Sequence, residues 1–258
     1  MNTARIIGVA GGSGGVGASV LTAAIAVRAA QSGLRPVALD GDRLGGGLDV
    51  TFGLEQERGA RWPDLAGTRG CVDGPGLLRR LPSVEGVRVL SFDRARDVPL
   101  AAEMVEEVLR GLSGPVDLVV VDLPRPDHEI FAALVPSVDA MVLLAGSGIC
   151  ELAGASAIVE HLIQACSDVS LCLRTRGKGS HFADTVAGAL HLPLLAVVHE
   201  EPSLVADVLH GVPPGSSAKG ALAAAADSVL ARCFIGARRG GRVSALPVRW
   251  AQIRRARF

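Results

Sequence analysis

Near the amino end an apolar run, Ile6-Ile7-Gly8-Val9-Ala10, passes into Gly11-Gly12-Ser13-Gly14-Gly15-Val16-Gly17 and then into an alanine-rich stretch that begins Ala18-Ser19. A strand, a glycine loop and a helix start in this order make an anion site. The loop N–H groups and the positive end of the helix dipole converge on one point, and glycine admits close approach. From Gly12 to Ser19 the spacing is that of G-x-x-x-x-G-K-[ST], a frame that cradles phosphates with backbone amides and binds Mg²⁺ through its last hydroxyl. Ala18 stands where the lysine of that frame belongs. Gly12, Gly14 and Gly17 also satisfy G-x-G-x-x-G, and Asp40 closes the next apolar run at about the distance of a ribose-binding acid. The loop alone therefore leaves two chemistries open, nucleoside-phosphate binding and dinucleotide binding.

The elements that must position this loop follow from periodicity. Strand-like apolar runs cover residues 5–10, 36–40, 87–92, 116–122, 140–145, 169–173 and 194–198. Helical segments fall at 19–31, closed by Gly33, and at 77–81, 100–112, 129–134, 151–165, 182–190, 203–209 and 219–233. In 100–112, Val105, Val108, Leu109 and Leu112 recur at helical spacing, with Glu103, Glu106 and Glu107 turned outward. The near-continuous apolar run 116–122 is the pattern of a parallel strand buried on both faces. Residues 55–76 are polar, glycine-rich and aperiodic, which predicts irregular structure. The alternation predicts right-handed crossovers and an α/β fold of three layers, a mainly parallel twisted sheet with helices on both faces. One domain is expected over residues 1–236, followed by an arginine-rich tail over 237–258.

The segments after the loop separate the two chemistries. A ribose-binding acid needs one carboxylate, whereas Asp40-Gly41-Asp42 leads into a glycine loop and then Leu48-Asp49, with Gly53 beyond. This D-x-D-x5-L-D-x3-G pattern resembles the MinD/ParA family of P-loop NTPases. That family writes its loop K-G-G-x-G-K-[ST], and residues Ser13 to Ser19 align with it without a gap, Ser13 and Ala18 standing at the two lysines. Asp122 matches the family's switch II aspartate, and Gly211-Val212-Pro213-Pro214-Gly215 looks like the late loop of CpaE/TadZ-type members. The resemblance runs from Arg5 to about Cys233. It is nearest the CpaE-like, septum-site-determining branch of actinobacteria, whose relatives accompany Tad/Flp pilus secretion machinery. Full-length CpaE and TadZ proteins carry a receiver-like domain ahead of this one; the first strand here starts at the amino end, so a chain without that domain is expected.

The resemblance implies ATP or ADP with Mg²⁺. Gly14, Gly15, Val16, Gly17, Ala18 and Ser19 would surround the phosphates, Ser19 and Asp122 would hold the metal, and Asp40, Asp42 and Asp122 would occupy the catalytic positions. Arg174 would stand beside the adenine. It implies a homodimer formed through the glycine-loop face, with pilus, secretion or division-site proteins as partners. With both lysines absent, and Pro124 and Pro126 in place of a mobile glycine after Asp122, hydrolysis is expected to be weak or absent. Two other readings stand beside this one: a dimeric scaffold that binds no nucleotide, and an NAD(P)-binding oxidoreductase.

The chain has 258 residues, 49% hydrophobic and 20% charged, enough for one large core. No apolar run reaches the roughly 18–20 residues of a membrane span and no signal peptide opens the sequence, so a cytoplasmic protein is expected. The five cysteines show no metal-type pairing and are expected to be buried thiols of a reducing compartment. The six histidines are scattered, and none is assigned to a metal. Formal net charge is zero, but seven arginines and no acid follow Gly236, so the tail carries +7 and the remainder −7. Val248, Trp250, Ile253 and Phe258 are interspersed there. Contact with an anionic membrane surface at the inner face or cell pole is one role for such a tail, and a solubilising extension is another. Nucleic acid is not expected among the partners.

Overall fold

The computed structural model describes residues 3–67, 70–96, 98–176 and 182–235; the arginine-rich tail lies outside the described residues. The chain runs β1 (Arg5–Gly11), α1 (Ala18–Gln31), β2 (Pro36–Asp40), α2 (Leu48–Thr51), α3 (Gly74–Arg80), β3 (Ser83–Val84), β4 (Val87–Leu90), α4 (Ala102–Leu112), β5 (Leu118–Leu123), α5 (Glu129–Leu134), β6 (Ala140–Gly146), α6 (Ile149–Ala165), β7 (Val169–Thr175), α7 (Ala183–Ala189), β8 (Leu194–His199), α8 (Ser203–Leu209) and α9 (Ala221–Ile235). The strands form one sheet in the order β3-β4-β2-β5-β1-β6-β7-β8. Every pairing is parallel except β3 with β4. Among the described residues, no helix is long and apolar enough to cross a membrane.

The expected three layers are present, and alternation along the central strands builds them. In β5, Leu118 and Val120 join Ile7, Val9 and the buried face of α1 on one side of the sheet. Val119 and Val121 join Ile6, α4 and α5 on the other. Both sets are fully buried, which is why this strand reads as one unbroken apolar run. On α4, Met104, Val105, Val108, Leu109 and Leu112 face inward, as the spacing predicts. Helix α1 closes on Gly33 in the left-handed region, with the Gly33 and Leu34 amides donating to Ala30 O and Ala29 O.

The strand order settles one alternative. In the dinucleotide-binding fold β1 and β2 are neighbours, so the acid ending β2 lies beside the loop after β1. Here β5 lies between them. Asp40 faces Asp122 in the β2–β5 register rather than the β1 loop, and the oxidoreductase reading loses its geometric basis.

Three short elements depart from expectation. Residues 55–76 contain a 3-10 turn at Trp62–Asp64, with the Trp62 ring fully buried against Phe92 at a centroid distance of 6.1 Å. Glu85 and Gly86, at φ +46° and +80°, turn β3 back onto β4 as a two-residue hairpin. Helix α2 is a single turn with no periodicity of its own to betray it.

Helix α6 crosses close over the glycine loop. A Cβ added at Gly154 would lie 2.4 Å from Gly12 O, and one at Gly12 would lie 2.8 Å from the Ala155 Cβ. The contact is made by backbone and by the Ala155 methyl, with no flexible side chain that could yield. Gly154→Val is therefore expected to lower stability by about 1–3 kcal/mol, read as a reduced melting temperature, despite the poor helix propensity of the glycine it removes.

Candidate functional site

β1 delivers the chain to the sheet's carboxyl edge, where the Gly12 amide donates to Leu144 O of β6 at 2.9 Å. Gly15 and Gly17 adopt φ of +74° and +102°, the left-handed region that a β-carbon disfavours. Gly17 is the residue from which α1 starts, its carbonyl accepting from the Leu21 amide. The loop thus lies across a helix N-terminus. It bounds a cavity of about 410 Å³ lined by Ser13 to Val20, by Asp42, Gly45 and Gly46 after β2, and by Asp122 to Pro126 after β5. Gly14, Gly15, Val16, Gly17, Ala18 and Ser19 all contribute to its wall, as the motif predicts.

The three aspartates divide their work. Asp122 is buried on the cavity wall and accepts a hydrogen bond from the Ser19 hydroxyl. Burial pushes its carboxyl from the ordinary 3.8 up to about 7, and the charge of Asp42 adds to the rise while the Ser19 bond opposes it. Asp42 is exposed and also lines the cavity. Asp40, 1% exposed, does not. Its Oδ1 accepts from the Asp42 amide at 3.1 Å and its Oδ2 from the Leu48 amide at 2.9 Å, while the Trp62 Nε1–H donates to its carbonyl at 2.8 Å. Desolvation, then the neighbouring Asp122, raise its carboxyl well above the carboxylate range although both amides favour the charge. Asp40 is the post on which the loop after β2 is hung, and of the D-x-D pair only Asp42 meets the cavity.

Asp49, part of the sequence pattern, faces away into a clasp. It is buried, with Arg94 across both carboxylate oxygens at 3.1 and 3.3 Å and Arg61 at 4.0 Å. Arg61 is itself buried and donates to the carbonyls of Leu54 and Glu57. These arginines and Trp62 lie in or beyond the stretch read as irregular; an isolated tryptophan in a polar run was the one signal that it contains core.

Cations are scarce at the cavity. Among the described residues lining it, Arg125 is the one cation, set against Asp42 and Asp122. Arg174 does not enter it. Its Nη1 donates to Gly15 O at 3.2 Å and Val16 O at 3.1 Å, and its Nη2 to Glu200 Oε1 at 2.8 Å. It borders a second groove of about 560 Å³ on the other side of the loop, walled by apolar side chains such as Val20, Leu144, Val198, Leu204 and Leu222. The two cavities share Gly15, Val16, Gly17 and Val20. A ligand lying over these residues would have a polar end in one and an apolar or aromatic end in the other.

The donor set at Ser19 and Asp122, one hydroxyl and one carboxylate, is hard oxygen and suits Mg²⁺, which takes one or two carboxylates and completes its shell with phosphates and water. Among the described residues, no group of three His, Cys, Asp or Glu could hold a metal by itself. His128 Nδ1 accepts from the Ile130 amide and caps α5. Cys166, Cys172 and Cys233 are buried, as expected, whereas Cys71 and Cys150 are exposed, which corrects the expectation for those two. The Ser13 hydroxyl, at the position of the family's first lysine, is buried without a partner among the described residues.

No family model matches the sequence. Solved structures do. The chain overlays a ParA family ATPase of Chlorobium tepidum with TM-score 0.77 at 16% identity, covering 89% of this chain and 99% of that one. It overlays MinD of Aquifex aeolicus, in a MinC:MinD cell division complex, with TM-score 0.72 at 20% identity over 94% and 98%. MinD of Pyrococcus horikoshii, complexed with Mg-ADP, gives 0.70 at 22% over 88% and 96%. The chain has the MinD/ParA fold. Among curated relatives, an uncharacterized protein of Mycobacterium tuberculosis is 34% identical over 207 residues, 80% of this chain and 57% of that protein. An uncharacterized ATP-binding protein of Methanocaldococcus jannaschii is 25% identical over 214 residues, 80% and 78%. The chain spans little more than half the length of the mycobacterial relative. Within the MinD/ParA fold the glycine loop, Asp42, Asp122 and Ser19 stand together at the sheet's carboxyl edge.

The burial of Asp122 gives the ligand-free protein a pH dependence. A carboxyl raised in the folded state binds its proton more tightly there than in the unfolded chain, so its contribution to stability is full below about 4 and is lost as pH rises toward about 7. In chelator, thermal melts of the wild type are expected to fall across that window; Asp122→Asn is expected to make the fall shallower, with the part due to the raised Asp40 carboxyl remaining.

Proposed function

We propose that this domain is a nucleotide-binding positioning factor of the MinD/ParA type that holds ATP or ADP with Mg²⁺ and hydrolyses ATP weakly or not at all. The observation that carries this reading is the pair of cavities meeting over Gly15 to Gly17, one ringed by loop amides with Ser19 and Asp122, the other apolar. Phosphates belong in the first and a base in the second. The chain's own groups would do the following: loop amides donate to the phosphate oxygens, Ser19 and Asp122 hold the metal, and Asp42 faces the water side. Bound Mg²⁺ would supply charge neutralisation between the phosphates.

What is missing sets the rate. A unit charge about 4 Å from a phosphate oxygen is worth roughly 4 kcal/mol at an effective dielectric near 20. Its loss at Ala18 can weaken binding by up to about a thousandfold. Cationic stabilisation of the transferring phosphoryl is worth roughly 10³–10⁵ in rate. Amides, dipole and metal remain to bind a phosphate; little remains to cleave one.

For the biological role we favour the CpaE/TadZ or septum-site branch, acting on Tad/Flp pilus-secretion machinery or the division site. The D-x-D-x5-L-D-x3-G pattern and the Gly211-to-Gly215 loop support it. A homodimer through the glycine-loop face is supported by Leu44 and Ile149, apolar side chains 81% and 88% exposed at that edge of the sheet. The arginine-rich tail over 237–258 would add contact with an anionic membrane surface. A scaffold that has given up nucleotide is the second reading, favoured by the excess of carboxylates over cations at the cavity.

Titration with ATP, ADP and NAD, with and without Mg²⁺, tests the proposal. Mg²⁺-dependent ADP binding, no preference for NAD and phosphate release at background are expected. Ala18→Lys should tighten ADP binding by about tenfold or more. NAD binding in preference to ADP overturns the proposal, as does wild-type phosphate release well above background; no binding at millimolar nucleotide favours the scaffold.

A further inference from the structure

We propose that Arg174 is the positioning residue that keeps the lysine-less loop aimed at phosphate, acting from outside the cavity through the carbonyls of Gly15 and Val16. The inference rests on the nucleotide-binding reading above but assigns Arg174 to the phosphate end of the ligand, not to the base.

The argument begins with the peptide plane. In a trans peptide the C=O of one residue and the N–H of the next point in opposite directions. When the Arg174 guanidinium draws Gly15 O and Val16 O to itself, it turns the N–H groups of Val16 and Gly17 the other way. Those two residues line the phosphate cavity on the far side of the loop from Arg174. One guanidinium nitrogen thus sets the direction of two consecutive amides.

The loop needs such a brace. Gly14 and Gly15 have no neighbour within 4 Å of where a β-carbon would be, so side-chain packing cannot hold them. Glycine also loses more conformational freedom on ordering than any other residue. Arg174 is placed by the sheet, paired in register with Gly146 of β6 and Val198 of β8, so its Cα is rigid relative to the loop's anchors on β1 and β6. Glu200 completes the arrangement. Its carboxylate takes Nη2 of Arg174 at 2.8 Å and stands 3.5 Å from Arg176. This pins one edge of the guanidinium and leaves Nη1 for the loop. A charged donor to two carbonyls is a strong, directional contact. An arginine's forked geometry suits the task better than a lysine's point charge.

Inorganic pyrophosphate is the discriminating probe, because it has phosphates and no base. Titrations of pyrophosphate and ADP, each with Mg²⁺, would compare wild type, Arg174→Ala, Arg174→Lys and Glu200→Gln, all first shown to melt as the wild type does. Alongside, ¹⁵N relaxation of the free proteins reads the order of residues 15–17. The expected result is a loss of about tenfold or more in affinity for both ligands in Arg174→Ala. Partial rescue is expected in Arg174→Lys and a smaller loss in Glu200→Gln. Order parameters of residues 15–17 should fall from rigid values toward about 0.6 in Arg174→Ala while those of α1 stay unchanged. A loss for ADP with pyrophosphate binding intact would place Arg174 at the base and overturn the proposal. So would unchanged binding of both. If the wild type binds neither ligand, the nucleotide reading fails, and the relaxation data decide the brace alone: unchanged order at residues 15–17 overturns it, and a local fall supports it.

Discussion

Three parallel strands ending at one level is the constraint from which the rest of this site follows. β1, β5 and β2 are adjacent in the sheet, and their registers bring Ala10 beside Leu123 and Asp40 beside Asp122. The loops that leave these strands have nowhere to go but over the same edge. There they share a cavity although the first and last of them lie more than 100 residues apart in the chain. The same register sets two carboxylates next to each other in a dry place, which is costly unless a proton or a cation is shared among them. Asp40 meets that cost with two backbone amides, and Asp122 with the Ser19 hydroxyl and a raised affinity for its proton.

Around this edge stand the parts of an anion site that the backbone supplies, without a lysine at Ser13 or Ala18. Amide directions, the start of α1 and the left-handed glycines depend on fold and packing, and α6 and Arg174 hold them from two sides. The side chains at Ser13 and Ala18 are not dictated by the fold in this way, and neither is a lysine. Backbone donors suffice to recognise an anion. Accelerating its transfer calls for charge placed where the transition state develops it, and among the described residues lining this cavity Arg125 alone carries the right sign.

Much of this was legible before any coordinates. Strands with unbroken apolar runs and helices with clear stripes, such as α4, announce themselves because burial on two faces or one leaves a period in the sequence. The loop residues Gly14 to Ser19 and the carboxylates Asp42 and Asp122 were legible because the spacing of glycines and acids reflects backbone needs. Asp40 was not, since a carboxylate that binds ligand and one that binds backbone amides look alike in sequence. Arg174 was expected beside the base and does border the apolar groove, but position along β7 gives the neighbourhood of a side chain and not the direction of its guanidinium, which turns to Gly15 O and Val16 O. Arg61, Arg94 and Trp62 were missed altogether. An arginine leaves no periodic trace when it neutralises a carboxylate 12 or 45 residues away, whether it is buried as Arg61 is or exposed as Arg94 is.

That hidden clasp bears on how the protein can signal. The stretch from Gly41 to Thr51 is held before any ligand arrives: by Asp40 at its start, by Trp62 beneath, and by Asp49 locked between Arg61 and Arg94. A ligand moves an equilibrium only as far as it binds one arrangement better than another. A loop with one well-anchored arrangement offers it little to choose between. Two prolines stiffen the neighbouring loop after Asp122 in the same sense. A ligand entering the cavity would thus meet loops already held in place, closer to a fixture than to a timer whose loops change with each phosphate gained or lost.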